Sequence, residues 1–198
     1  MKISILICTI PEPYRDAFFI DRLMGVLKPQ INKDVEIVLE SDEMQMMVGA
    51  KRNKLINKAK GDRIIFVDDD DLISENYIKK LLEYSELDFD CVGIGVEFTK
   101  DGKNKSIYDF SYKTNINTRE HDKKLSRFGQ RVYGRMPNHL CLWKKDIALR
   151  CKFPDRNLGE DHEWAECQLL KGYSLHLTDE IIYYYDFRPN NTQTRIRR

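Results

Sequence analysis

The chain has 198 residues, 41% of them apolar and 33% charged, with a formal net charge of +1. That length suits one soluble domain able to bury roughly 70% of its unfolded surface. The charge balance excludes a global electrostatic pull toward nucleic acid or membrane. No stretch reaches the length of a transmembrane helix, and the apolar run Ile3 to Ile10 is too short for a signal peptide. The five cysteines (Cys8, Cys91, Cys141, Cys151 and Cys167) are scattered and form no CxxC pair, which argues against a zinc or redox site. Most lie in apolar segments, as free cysteine does. The expectation is therefore a reducing compartment and a cytoplasmic protein.

Ile3 to Cys8 reads as a buried parallel strand, ended by Thr9, Pro11 and Pro13. Ile20, Leu23, Met24 and Leu27 have helical spacing, closed by Pro29. Val35 to Leu39 is a second strand and leads to Glu40, Ser41 and Asp42. A helix over Met46 to Lys60 follows, stopped by Gly61. Its inward stripe carries Val48, Leu55 and Ala59, and also Arg52. An arginine on an apolar face must be paired or liganded. An internal carboxylate and a ligand phosphate are both open as its partner.

The third strand, Arg63 to Val67, runs into four consecutive aspartates, Asp68 to Asp71. A helix then starts at Ser74, with Ile78, Leu81 and Leu82 on one side. The order β-α-β-α-β-α is that of a parallel sheet with helices on its faces. Cys91 to Phe98 is a further strand, Asp101 to Asn104 a turn, and Ser106 to Tyr112 an edge strand. Lys113 to Gln130 is polar without a clean period and is read as an excursion over the site. His139 to Trp143 is a short strand and Lys144 to Leu149 a short helical piece. Gly159 to Lys171 is a helix closed by Gly172; Tyr173 to Leu177 and Ile181 to Asp186 are two last strands. With no repeat or linker, residues 1–188 form one domain and 189–198 a polar tail.

The chemistry gathers in two acidic stretches. The aspartate run stands at the carboxyl end of a central strand, where open α/β sheets bind ligands. Four packed carboxylates repel, and a hard divalent cation is the usual compensation. The competing assignment, a solvated acidic turn, fits poorly with the buried strand before the run and the helix after it. The second stretch is GEDHEW, Gly159 to Trp164. Acids in a first turn complement the helix dipole, which accounts for Glu160 and Glu163. Asp161 shares a face with Trp164 and Ala165 and so points at the body. Capping and general-base catalysis both remain open for it. Arg127, Arg131, Arg135 and the Arg195 to Arg198 tail read first as a solvated basic face and second as contacts to a polyanion.

Taken in order, these elements resemble a glycosyltransferase of the GT-A fold, close to the inverting group called family 2. ISILICTIP (Ile3 to Pro11) is similar to the opening strand and turn of that family. EIVLESD (Glu36 to Asp42) is similar to the strand ending in a base-binding aspartate. Arg52-Asn53, Ala59 to Asp62, the D-x-D-D pattern of Asp68 to Asp71 and the pair Glu160-Asp161 follow in the family's order. Two features depart from it. Ser41-Asp42-Glu43 replaces the usual D-G-S, and the late strand offers Asp186 where many GT-A enzymes place a histidine.

The resemblance implies a single Rossmann-like α/β domain. It has a mainly parallel central sheet flanked by helices and a smaller mixed sheet on the acceptor side. Residues 1–100 would bind the nucleotide sugar and 101–188 the acceptor. A nucleotide-diphosphate-sugar donor and Mn²⁺ or Mg²⁺ are implied. Asp70 would hold the metal, with Asp68 and Asp186 as further ligands. Thr9, Pro11, Asp42, Arg52, Asp68 and Asp69 would face the donor, Asp42 reading the base and Arg52 the diphosphate. Asp161 would be the base, with Glu160, His139 and Trp164 on the acceptor side. A glycan, a lipid-linked sugar, a protein and a modified DNA base are all open as acceptor. A nucleotidyltransferase would show a glycine-rich loop after the first strand, and Thr9 to Tyr14 has no glycine. A non-catalytic nucleotide-sugar-binding domain is the other alternative.

Overall fold

Strand β1 (Ile3–Thr9) is buried at all seven positions. It has a parallel partner on each edge, β2 (Val35–Ser41) and β3 (Arg63–Phe66), and α2 (Val48–Lys58) and α3 (Tyr77–Ser85) pack against it. A strand enclosed in this way must be apolar on both faces, and Ile3, Ile5, Leu6 and Ile7 meet that demand. The computed structural model describes residues 1–111 and 132–188. The expected excursion over 113–130 and the tail 189–198 lie outside them.

The sheet continues from β3 through β8 (Leu142–Lys144) to β5 (Cys91–Lys100), both pairings antiparallel. One edge of β5 pairs first with β8 and then with β6 (Lys103–Asp109), which carries β7 (Val132–Gly134). Its other edge runs parallel to β9 (Leu175–Phe187), and β9 also takes the two-residue strand β4 (Leu72–Ile73). The result is an α/β fold on one nine-stranded sheet. The smaller mixed half expected beside it is hydrogen-bonded into the same sheet, because β5 is long enough to serve both.

Several elements depart from their expected form. β6 is not an edge strand, since β7 covers it. The last two strands are one, and shifts of register around Gly95 absorb the interruption. His139 and Leu140 lie in a turn, not in a strand. There the Asn138 carbonyl and side chain accept from Cys141 N, Leu140 N and Trp143 Nε1. Helix α1 (Phe18–Leu27) runs into a 3₁₀ turn at Pro29 instead of stopping. α3 starts at Tyr77, three residues after Ser74, because a turn closed by Tyr77 N donating to Ser74 O at 3.1 Å comes between β4 and the helix.

The segment between α4 (Lys145–Ala148) and α5 (Glu160–Lys171) is fastened on two sides. Asn53 of α2 donates to Phe153 O at 2.8 Å and accepts from Phe153 N at 2.9 Å. Gly49 lies so close that a Cβ there would stand 1.8 Å from Pro154 O. On the other side Cys151 and Cys167 form a disulfide. Cys8, Cys91 and Cys141 are free and buried, as expected for most of the five, but this pair departs from the reading of scattered, unpaired thiols. The packing of α5 brings the two Cα atoms to 6.1 Å, a proximity that their spacing does not announce. The argument from free cysteines for a reducing compartment falls with it. Among the described residues no helix is long and apolar enough to cross a membrane.

The bridge closes a loop across 16 residues. Replacing both cysteines by alanine is expected to lower the unfolding free energy by about 3 kcal/mol. Urea denaturation without reductant measures this, and equal midpoints for the two proteins would refute it.

Candidate functional site

The aspartate run is a tight turn joining β3 to β4, closed by Asp71 N donating to Asp68 O at 3.1 Å. Tyr183 of β9 clips it from below. Its hydroxyl donates to Asp71 Oδ2 at 2.6 Å and accepts from Asp68 N at 3.1 Å. The four carboxylates meet different surroundings. Asp69 and Asp71 are 2% exposed, whereas the side chains of Asp68 and Asp70 keep 35% and 28% of their surface. Only the latter two are open to a ligand.

Much of the compensation for this charge is internal. Arg15, from the loop after β1, pairs with Asp69 and, at 2.7 Å, with Asp70. Arg22 donates to Asp70 O at 2.7 Å. Arg52 lies 3.2 Å from Asp68 and 3.4 Å from Glu160. The inward arginine of α2 thus has carboxylate partners, one on each side of the cleft. Burial pushes Asp69 up to about 7 despite Arg15, and burial with the neighbouring aspartates raises Asp71. Burial opposes ionisation of Asp68 too, but Arg52 and His139 outweigh it and hold that carboxyl low. Arg15 and Arg52 thus offset much of the repulsion within the run.

Facing the run across a cleft of about 260 Å³ is the start of α5. Gly159 takes a left-handed conformation (φ 76°) and turns the chain into the helix. Asp161 is thereby aimed into the cleft, as its helical face required. His139 stands between the two acidic groups. Its Nε2 is 3.4 Å from Asp68 Oδ2 and its Nδ1 is 3.7 Å from Asp161 Oδ2. Burial disfavours the charge on Asp161, and His139, Arg52 and Arg135 overcome it, so the carboxyl sits below its ordinary value.

Arg52, Asp68, Asp69, Asp70, His139, Glu160, Asp161 and Asp186 all line this cleft. Thr9, Pro11, Asp42 and Trp164 do not. Trp164 is 1% exposed and stacks on Phe153 at 4.7 Å; its apolar ring is core, which corrects its acceptor-side assignment. Glu160 is buried and serves Arg52, so it is not a free acceptor contact. Asp186 reaches the rim with both oxygens engaged. They accept from Thr99 Oγ1 at 2.7 Å, Gly102 N at 2.8 Å and Arg188 Nε at 2.8 Å. Those bonds tie Asp186 to a turn at the rim of the cleft. Asp42 is bound to buried Lys51 and to Met46 N, and Thr9 O accepts from Lys51 Nζ at 3.2 Å. Arg15 and Tyr108 line the cleft and Tyr183 braces its acidic turn, and none of the three stood out in the sequence; Arg135, expected on a basic face, also lines the cleft. Each comes from an element distant in the chain, and none has a motif around it.

A divalent cation fits the exposed pair Asp68 and Asp70 by donor chemistry. Among the described residues no three His, Cys, Asp or Glu side chains form a ready cage. Mg²⁺ and Mn²⁺ do not need one, since they take one or two carboxylates and fill the rest of their shell with water and substrate phosphate oxygens.

The family model described as Glycosyl transferase family 2 matches residues 27–146. Among solved structures, S. aureus TarS 1-349 in complex with UDP-GlcNAc superimposes with a TM-score of 0.68. It is 16% identical over 95% of this chain and 59% of that one. Its complex with UDP gives a TM-score of 0.67 at 18% identity, over 96% of this chain and 62% of that one. These likenesses establish the GT-A fold. The chain spans about three fifths of TarS 1-349. No curated protein matches it.

The buried Lys51–Asp42 pair yields a test. Burial opposes the charge on Asp42, but Lys51 and Met46 N–H lower its pKa overall. A depressed carboxylate stabilises the fold above its unfolded value, about 3.9, and that contribution is lost as pH falls through the folded value. Lys51→Met is expected to cost about 3 kcal/mol at pH 7 by leaving the largely enclosed Asp42 carboxylate without its cation, held only by backbone donors. The gap between the proteins should narrow as Asp42 protonates. Urea titrations at pH 7 and pH 3 measure both, and a gap that widens in acid would contradict the pairing.

Proposed function

The chain belongs to glycosyl transferase family 2, and from that premise we propose that it moves a sugar from a nucleotide-diphosphate-sugar to an acceptor hydroxyl with inversion. The observation that carries this is the placing of Asp161 and the Asp68–Asp71 turn on facing walls of one cleft, with His139 between them. A base on one wall and a diphosphate seat on the other suit a single in-line displacement. The UDP and UDP-GlcNAc bound by TarS 1-349 support a uridine donor.

In this scheme residues 1–100 form the donor half and 101–188 the acceptor half. The acceptor hydroxyl lies against Asp161 and gives its proton to the carboxylate as its oxygen attacks the anomeric carbon. His139, Arg52 and Arg135 keep Asp161 ionised, and its position against the hydroxyl, not its basicity, suits it to take the proton. The bond from the anomeric carbon to the diphosphate breaks on the opposite face. Arg52, fixed between Asp68 and Glu160, presents a positive charge to the departing diphosphate. Asp70 and Asp68 would hold Mn²⁺ or Mg²⁺, which supplies Lewis-acid neutralisation of that group. Arg15 now pairs with Asp70, and a cation there must compete with it. His139 keeps Asp68 and Asp161 in fixed relation.

Asp161→Asn is expected to lower turnover by about two to four orders of magnitude while leaving donor affinity close to wild type. Single-turnover kinetics beside a donor titration separates the two, and near-wild-type turnover would remove Asp161 from the role. Asp70→Asn should abolish the dependence of donor binding on Mn²⁺. Calorimetric titration of UDP-sugar with Mn²⁺ or with chelator tests this; equal wild-type affinity in both conditions would rule out the metal.

A further inference from the structure

Among the described residues four arginines line the cleft: Arg15, Arg52, Arg135 and Arg188. Three of them are paired with carboxylates. Arg15 has Asp69 and Asp70, Arg52 has Asp68 and Glu160, and Arg188 has Asp186. Arg135 differs. Among the described residues it has no carboxylate at ion-pair distance; its buried Nε lacks a hydrogen-bond partner, as that of Arg52 does. Its Nη2 donates to the Tyr108 hydroxyl at 3.2 Å, and its guanidinium lies 4.7 Å from the centre of that ring. Tyr108 is itself stacked on Phe98 at 5.4 Å and packed against Tyr185 at 6.0 Å.

This arrangement holds a half-buried cation at a cleft wall with no carboxylate at ion-pair distance among the described residues. Its planar fork is shaped for phosphate or carboxylate. Position then decides whose anion it meets. Arg15 and Arg52 serve the aspartate-run end, where the donor diphosphate is placed. Arg135 and Tyr108 line the cleft together with Asp161, the residue on which the acceptor hydroxyl would lie. We propose that Arg135, seated on Tyr108, forms a subsite for an anionic group on the acceptor, a phosphate or a carboxylate near the hydroxyl that is glycosylated. The proposal rests on the transfer reaction above and names the acceptor class for it. Arg135 is a binding and positioning residue here and takes no proton.

The test uses the full chain with Mn²⁺ and saturating UDP, so that the donor phosphate seat is filled. Methyl phosphate and acetate are then titrated by NMR. At least one of them should bind the UDP-loaded protein. Arg135→Gln should weaken that binding about tenfold or more, the size of one charge-assisted hydrogen bond. Arg135→Lys should fall between, and UDP affinity should stay within about twofold in both variants, as expected for a group that does not touch the donor. Stronger binding of methyl phosphate identifies a phosphorylated acceptor, and stronger binding of acetate a carboxylated one. The subsite is overturned if neither anion binds loaded wild type, if Arg135→Gln binds it equally well, or if the variant loses UDP instead. The wild-type titrations stand even where a variant fails to fold. Failure of wild type to bind UDP, read before any anion is added, would overturn the transfer reaction itself and the acceptor assignment with it.

Discussion

Arg52 is the charge around which the cleft is assembled. It is buried on an apolar helix face and lies across Phe66 and Phe153, within 5.5 Å and 5.6 Å of the two ring centres. Such a cation is tolerable only if anions come to it. Asp68 comes from the end of β3 and Glu160 from the start of α5. The two halves of the chain are thus tied by one guanidinium at the point where a donor and an acceptor would meet.

The rest of the scaffold keeps that arrangement in place. Gly49 and Asn53 dock α2 onto the Phe153–Pro154 segment. Trp164 and Phe153 stack below the cleft, and Trp164 Nε1 donates to Cys151 O at 3.2 Å. The disulfide ties the same segment to the middle of α5. Asp161 therefore projects from a helix whose start is held by packing, hydrogen bonds and a covalent link together. A base that must meet one hydroxyl gains from such rigidity, because small displacements at a reacting centre carry large rate penalties.

The cleft also shows how an acidic turn can exist without being a sink of unpaired charge. Asp69 and Asp71 are spent on structure, one held by Arg15 and the other by Tyr183. Asp68 and Asp70 are left at the surface of the cleft. The cost of burying the first two is offset by neighbours that the run could not have announced. The positive side of the balance is uneven as well: three cleft arginines are matched internally, and Arg135 rests on an aromatic ring.

What could be read from the chain alone was whatever depends on local period and on residue type at an element's end. The β-α-β-α-β-α order, the exposed end of β3, the inward Arg52 and the inward Asp161 all follow from alternation or from 3.6-residue spacing, which survive without tertiary information. The order of motifs then sufficed for the family. Other features depended on which distant segments pack together. Trp164 and Asp161 share a helix face, yet only the fold shows that one enters the core and the other the cleft. Arg15, Tyr108 and Arg135 stand in segments without motif or period, and converge because β1, β6 and the loop after β7 end at the same cleft. The Cys151–Cys167 bridge and the partners of Asp186 are likewise contacts across space, and hydrophobic pattern encodes which side of an element is buried, not what it is buried against.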